Sequence, residues 1–103
     1  MEEGLLPAVL EFDWDEGNIT KSWIRHRVPA KDQEQAFINY EKVIVEDKIH
    51  SERERRFLLY GKTNKGQLLI IVFTIRNKKI RCISARPMNR KEAKLYEETI
   101  KMA

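Results

Sequence analysis

The chain has 103 residues, 42% hydrophobic and 35% charged, which is room for one domain with a modest core and excludes a second. A lone cysteine, Cys82, excludes an internal disulfide and a cysteine-rich zinc cage. The net charge of +4 is unevenly spread: residues 1–17 hold six acidic and no basic side chains, whereas residues 76–103 hold nine basic against three acidic. That basic third is either a solvated lysine-rich surface or a footprint for nucleic-acid phosphates.

Residues 1–9 read as an extension and residues 10–103 as the single domain. In residues 10–14, Leu10, Phe12 and Trp14 alternate with acidic neighbours, the period of a short half-buried strand. Asp15 is placed to cap a helix carrying Ile19, Trp23 and Arg27 on one face, with His26 beside them, and Val28-Pro29 ends it. A second helix starts at Pro29, with Gln33, Ala36, Phe37 and Tyr40 as its stripe. Val43 and Val45 carry the alternation of a strand in residues 42–47.

The strongest strand patterns are residues 55–61 and 68–75, joined by a loop at 62–66 that ends in glycine. A second hairpin, through 76–79, leads to a strand at 80–85, so three consecutive strands form an antiparallel meander with 68–73 at its middle. Asn89 with Glu92 is a capping-box pattern that opens a last helix near Arg90, with Ala93, Tyr96 and Ile100 inward. The expected fold class is α+β: an antiparallel sheet of four to five strands, two N-terminal helices and one C-terminal helix. Both tryptophans, Trp14 and Trp23, are expected in the core. The longest apolar run, residues 68–73, is far below the ~20 residues of a membrane helix, and no basic, apolar leader opens the chain. The expected location is the cytoplasm, with no membrane partner.

Four phrases now stand out in order: Phe12-Asp13-Trp14-Asp15; Arg25-His26; His50-Ser51 followed by Arg56-Phe57; and Arg81-Cys82-Ile83-Ser84-Ala85-Arg86. Together, over residues 12–97, the chain resembles the BrnT family of type II toxins. The resemblance implies a RelE-like fold, a ribonuclease activity that arrests translation, and neutralisation by a BrnA-like ribbon-helix-helix antitoxin that tethers the pair to DNA. The chain departs from the family pattern at Asn18, Ser22 and Arg27, where lysine, asparagine and glycine are usual. Glycine at the last position would supply a left-handed helix cap. These departures keep a second expectation open, a non-catalytic binding module that serves as antitoxin partner and co-repressor.

Metal-independent RNA cleavage drives the ribose 2′-hydroxyl onto the adjacent phosphate and needs proton transfer and positive charge. Arginine suits the second need because its planar fork stays charged and grips two oxygens. His50, in a polar loop next to Ser51 and ahead of Arg53-Glu54-Arg55-Arg56, is the better histidine as acid or base. His26 reads as a partner for its helix C-terminus.

Strand alternation puts Arg81 and Arg86 on opposite faces, with Ser84 on the Arg86 side. Arg86 could meet a phosphate at the last helix's N-terminus. Tyr96 is a core residue or, as in RelE-type enzymes, a site residue, and Glu92 is a cap before it is a base. The candidate catalytic set is therefore His50, Arg56, Arg81, Arg86 and Tyr96, and the candidate RNA contacts are Arg53, Arg55, Arg76, Lys79, Ser84 and Arg90. No cofactor is expected: no His, Cys and carboxylate cluster has metal-ligand spacing, and no glycine-rich loop cradles a nucleotide.

Overall fold

The meander expected from residues 55–85 forms the body of the protein in the structure, a computed structural model describing residues 5–103. Helices α1 (Lys21–His26) and α2 (Ala30–Ile38) come first, then strand β1 (Val43–Glu46) and a 3₁₀ turn (Lys48–His50). Strands β2 (Phe57–Lys62), β3 (Leu68–Arg76) and β4 (Lys79–Pro87) and helix α3 (Arg90–Met102) complete the chain. The four strands lie in the order β1-β2-β3-β4, every pair antiparallel. Among the described residues no helix is long and apolar enough to cross a membrane.

One sheet face is buried under the first two helices. Leu59, Leu69, Ile71 and Phe73 are fully covered together with Val28, Ala36 and Phe37. Phe37 stands edge-on to Phe73 at 4.9 Å and to Phe12 at 5.6 Å, a ring cluster whose loss on Phe37→Ala would cost about 3–5 kcal/mol. Gly61 lets α2 approach closely, since a Cβ there would sit 3.2 Å from the Ala36 carbonyl. Leu5, Leu6 and Leu10 also pack against this core. Cys82 lies within it, and burial pushes its thiol well above the ordinary range, so it stays an inert hydrophobe.

Several local expectations are corrected. The strand expected at residues 10–14 reduces to a single parallel bridge of Phe12 to Ile80 on the outer edge of β4. The chain turns away at Asp15, whose carbonyl accepts from the N–H groups of Asn18 and Ile19. Asp15 therefore opens a turn, and α1 starts only after Thr20. Trp14 does pack on the core, its indole N–H donating to Glu34 at 2.8 Å. Trp23 does not: it is 45% exposed, with the Arg27 guanidinium 5.2 Å over its ring.

Tyr40 leaves its expected stripe because α2 stops at Ile38 and Asn39 is extended, and it is 94% exposed. In β1 the inward residue is Ile44, paired with Leu59, and not Val43 or Val45. Helix α3 begins as expected: the Asn89 side chain accepts from the Glu92 N–H while Glu92 accepts from the Asn89 N–H.

The family departures fit the fold. Asn18, 5% exposed, accepts from the Asp15 N–H and donates to the carbonyls of Asp13 and Cys82. The buried Ser22 hydroxyl accepts the Ala85 N–H at 2.7 Å. Arg27 takes the left-handed conformation itself, with φ 59°, and the Val28 N–H returns to the Ser22 carbonyl.

Candidate functional site

The second sheet face is set by an irregularity that residue alternation could not reveal. Val72 pairs with Ser84 and Phe73 with Cys82, so Ile83 between them has no partner and forms a β-bulge. Across this extra residue the parity of β4 shifts. Lys79 pairs with Arg76, Arg81 with Thr74, Ser84 with Val72 and Arg86 with Ile70. These partners are alternate residues of β3, so Lys79, Arg81, Ser84 and Arg86 share the face away from α1 and α2. The expectation that Arg81 and Arg86 oppose each other is therefore corrected.

On β2, Leu58 and Tyr60 pair with Val72 and Ile70 and lie on the same face. Arg56 continues their alternation, its carbonyl accepting from the Asp47 N–H one pair beyond Glu46 and Phe57. The face thus has an apolar floor of Leu58 and Val72, with Ser84 among them. Arg56, Arg76, Lys79 and Arg81 stand at one end. Arg86 stands at the other, four residues along β3, or about 13 Å.

At the first end the 3₁₀ turn and the loop after it raise a wall. The resulting cleft, about 560 Å³, is lined by Ile49, His50, Glu52, Arg53, Glu54, Arg56 and Arg76. His50 Nδ1 lies 2.9 Å from Asp47 Oδ2. The Ser51 hydroxyl donates to the Asp47 carbonyl at 2.6 Å and accepts from the Arg56 N–H at 2.9 Å, fastening the turn to β2.

Each arginine on this face has a distinct electrostatic setting. Arg76 grips Glu54 with Nε and Nη2 at 2.6 and 3.1 Å. That bond chiefly, helped by the charges of Arg76, Arg56 and Arg81, holds the Glu54 carboxyl below its ordinary range. Arg81 forks onto Asp15 at 2.9 and 3.0 Å, with Asp13 at 3.6 Å, and its hydrogen bond is the main cause of the lowered Asp15 carboxyl. Arg86 forks onto Glu92 at 2.8 Å on both oxygens, and this, more than the Asn89 N–H, draws Glu92 down to about 2. Among the described residues the guanidinium groups of Arg53 and Arg56 form no ion pair.

The structure therefore brings His50, Arg53, Arg56 and Arg76 to one cleft, and Arg81 close enough to act on Glu54. Ser84 lies half-buried at mid-face and Lys79 at the exposed hairpin. Arg55 turns to the other side, bonded to Glu46 at 3.0 Å and stacked 5.0 Å from the Phe57 ring. Arg90 is exposed at the start of α3, and His26 is exposed at the end of α1.

Tyr96 lies apart from the cleft. It is buried where α3 meets the β1 end of the sheet, its hydroxyl donating to the Glu41 carbonyl and raised in pKa by burial. Asp47 and Glu54 were not singled out from sequence. An aspartate three residues before a histidine in a polar loop was the available signal for the first. None of Asn18, Ser22 and Arg27 lines the cleft. Among the described residues no three His, Cys, Asp or Glu side chains gather as ligands for a metal ion.

No curated protein matched the chain. A family model did, the one described as ribonuclease toxin, BrnT, of type II toxin-antitoxin system, and it covers residues 14–92. That span runs from Trp14 through the arginine face to the Glu92 partner of Arg86, and on it the chain belongs to the BrnT family of type II toxin-antitoxin ribonuclease toxins.

Proposed function

We propose that the protein is a metal-independent endoribonuclease that inhibits translation in the cytoplasm, with the cleft at His50 as its catalytic centre. The observation that carries this reading is the pairing shift at Ile83, which aligns Arg81, Ser84 and Arg86 with Arg56 and Arg76 on one open face. Arg53 and Arg56, without carboxylate partners among the described residues and beside His50, suit the two oxygens of a phosphodiester. In this reading Nε2 of His50 takes the proton of the 2′-hydroxyl and the 2′-oxygen bonds to phosphorus. The P–O5′ bond breaks, the departing 5′-oxygen takes a proton from water, and the hydroxide so formed takes back the proton held on the His50 imidazolium. The arginines hold the charge that builds on the phosphorane, each donor worth about 10²–10³ in rate. Arg81 and Arg86, paired with Asp15 and Glu92, exchange a carboxylate for a phosphate when the strand is laid along the face.

A type II toxin has an antitoxin partner, read here as a BrnA-like ribbon-helix-helix protein that makes the DNA contacts. The fold is read as RelE-like and residues 10–103 as its one domain. Incubation with a structured RNA in EDTA tests the proposal: fragments ending in a 2′,3′-cyclic phosphate and beginning with a 5′-hydroxyl are expected. Intact RNA at micromolar protein would overturn it and leave the binding-module reading.

A further inference from the structure

We infer that Asp47 is a positioning residue for His50, holding Nδ1–H so that the ring presents an unprotonated Nε2 to the cleft. The inference rests on the reading of His50 as the base. A carboxylate only accepts, so the ring nitrogen facing it carries the proton and the other is left with a lone pair. The geometry suits this: the 3₁₀ turn sets residues i and i+3 on one side, and Asp47 Oδ2 lies 2.9 Å from His50 Nδ1.

Asp47 is the anchored member of the pair, its side chain 16% exposed against 64% for His50. Its backbone is fastened twice, by its N–H on the carbonyl of Arg56 just before β2 at 2.8 Å and by its carbonyl on the Ser51 hydroxyl of the loop between. Since Ser51 also accepts the Arg56 N–H, one small turn refers the base and the phosphate-holding Arg56 to each other. The other charged residues lining the cleft are Arg53, Arg56 and Arg76 with Glu52 and Glu54, and among the described residues Asp47 supplies the acceptor at Nδ1.

The test uses the full chain. Ring ¹⁵N shifts of neutral His50 should report the Nδ1–H tautomer in the parent protein, and D47A should move the population toward Nε2–H, with His26 unchanged as the internal control. The Asp47 side chain bonds only to His50 among the described residues, so circular dichroism should not change. kcat of D47A should fall about 10–100-fold with KM within about two-fold, less than the ~10⁴ of a buried triad because this pair is exposed. D47N, which keeps a carbonyl acceptor, should restore part of both.

A parent ring already in the Nε2–H form, or a D47A that leaves tautomer or kcat unmoved, overturns the role. H50Q separates the two failures. A fully active H50Q sinks the base reading and this role with it, whereas an inactive H50Q beside an unaltered D47A sinks the role alone.

Discussion

Replacing Asn18 by alanine should be among the most damaging single changes outside the aromatic core. The amide makes three hydrogen bonds: it accepts from the Asp15 N–H at 2.8 Å and donates to the Asp13 and Cys82 carbonyls at 3.0 and 2.9 Å. Each is worth about 1 kcal/mol net, and a buried carbonyl left without its donor costs more, so the total is about 2–4 kcal/mol. For a domain of this size that is a fall in Tm of order 10–20 °C. Asn18→Asp should be worse than alanine, because a carboxylate would face the two carbonyls that now receive N–H donors. Urea unfolding of the three proteins measures this through the midpoint at constant slope. A loss below about 0.5 kcal/mol for Asn18→Ala would refute the claim that this side chain fastens the turn at residues 15–18 to β4.

Ser22→Ala orphans the buried Ala85 N–H and should cost about 1–3 kcal/mol; an unchanged urea midpoint would contradict the assignment. Arg27→Gly relieves a left-handed strain of about 1–2 kcal/mol, offset by about 0.5–1 kcal/mol of glycine backbone entropy and by the exposed stacking on Trp23. Its stability should stay within about 1 kcal/mol of the parent, and a larger loss in thermal melts would show that the cap is unstrained.

Glu92 is held at about 2, below its ordinary 4.5. Its depressed carboxyl therefore stabilises the folded state above pH 4.5, and that contribution fades as pH falls through 2. Far-ultraviolet circular dichroism should show the start of α3 loosening in that window, and E92Q should remove the pH dependence; an identical titration in both proteins would count against the pair. RNA affinity should fall with salt with a slope of about −0.7 per phosphate neutralised, and R56A should flatten that slope by about 0.7. An unaltered slope would remove Arg56 from the phosphate contacts.

What could be read in the sequence was what is set locally. The Asn89 and Glu92 pattern specified the start of α3, and the glycine-ended loop and the 76–79 turn specified both hairpins. His50, Arg53 and Arg56 were visible because they fall within seven residues, and a short loop feeding one strand keeps them together. What was lost depends on pairing at a distance. Ile83 and its neighbours look like any strand, and only the register against Val72 and Phe73 makes Ile83 the extra residue that rotates Arg81 to the side of Arg86.

Val43-Ile44-Val45 is apolar at every position, so its parity is decided by the pairing of Ile44 with Leu59. Tyr40 was assigned by extending a helical period past Ile38, where α2 stops, whereas Trp23 lies within α1 but off its buried position, which is Ser22. Arg55 and Arg56 are adjacent and chemically identical, and strand alternation alone sends one to Glu46 and the other to the cleft.

The adjacency of those two arginines offers the most direct measurement: single-turnover RNA cleavage in EDTA by R56A and R55A, side by side with the parent chain. If the open face beside His50 does the chemistry, R56A should lose about 10²–10³ in rate while R55A stays within a few-fold of the parent. Equal losses in both, or full activity in R56A, would contradict the placement of the scissile phosphate.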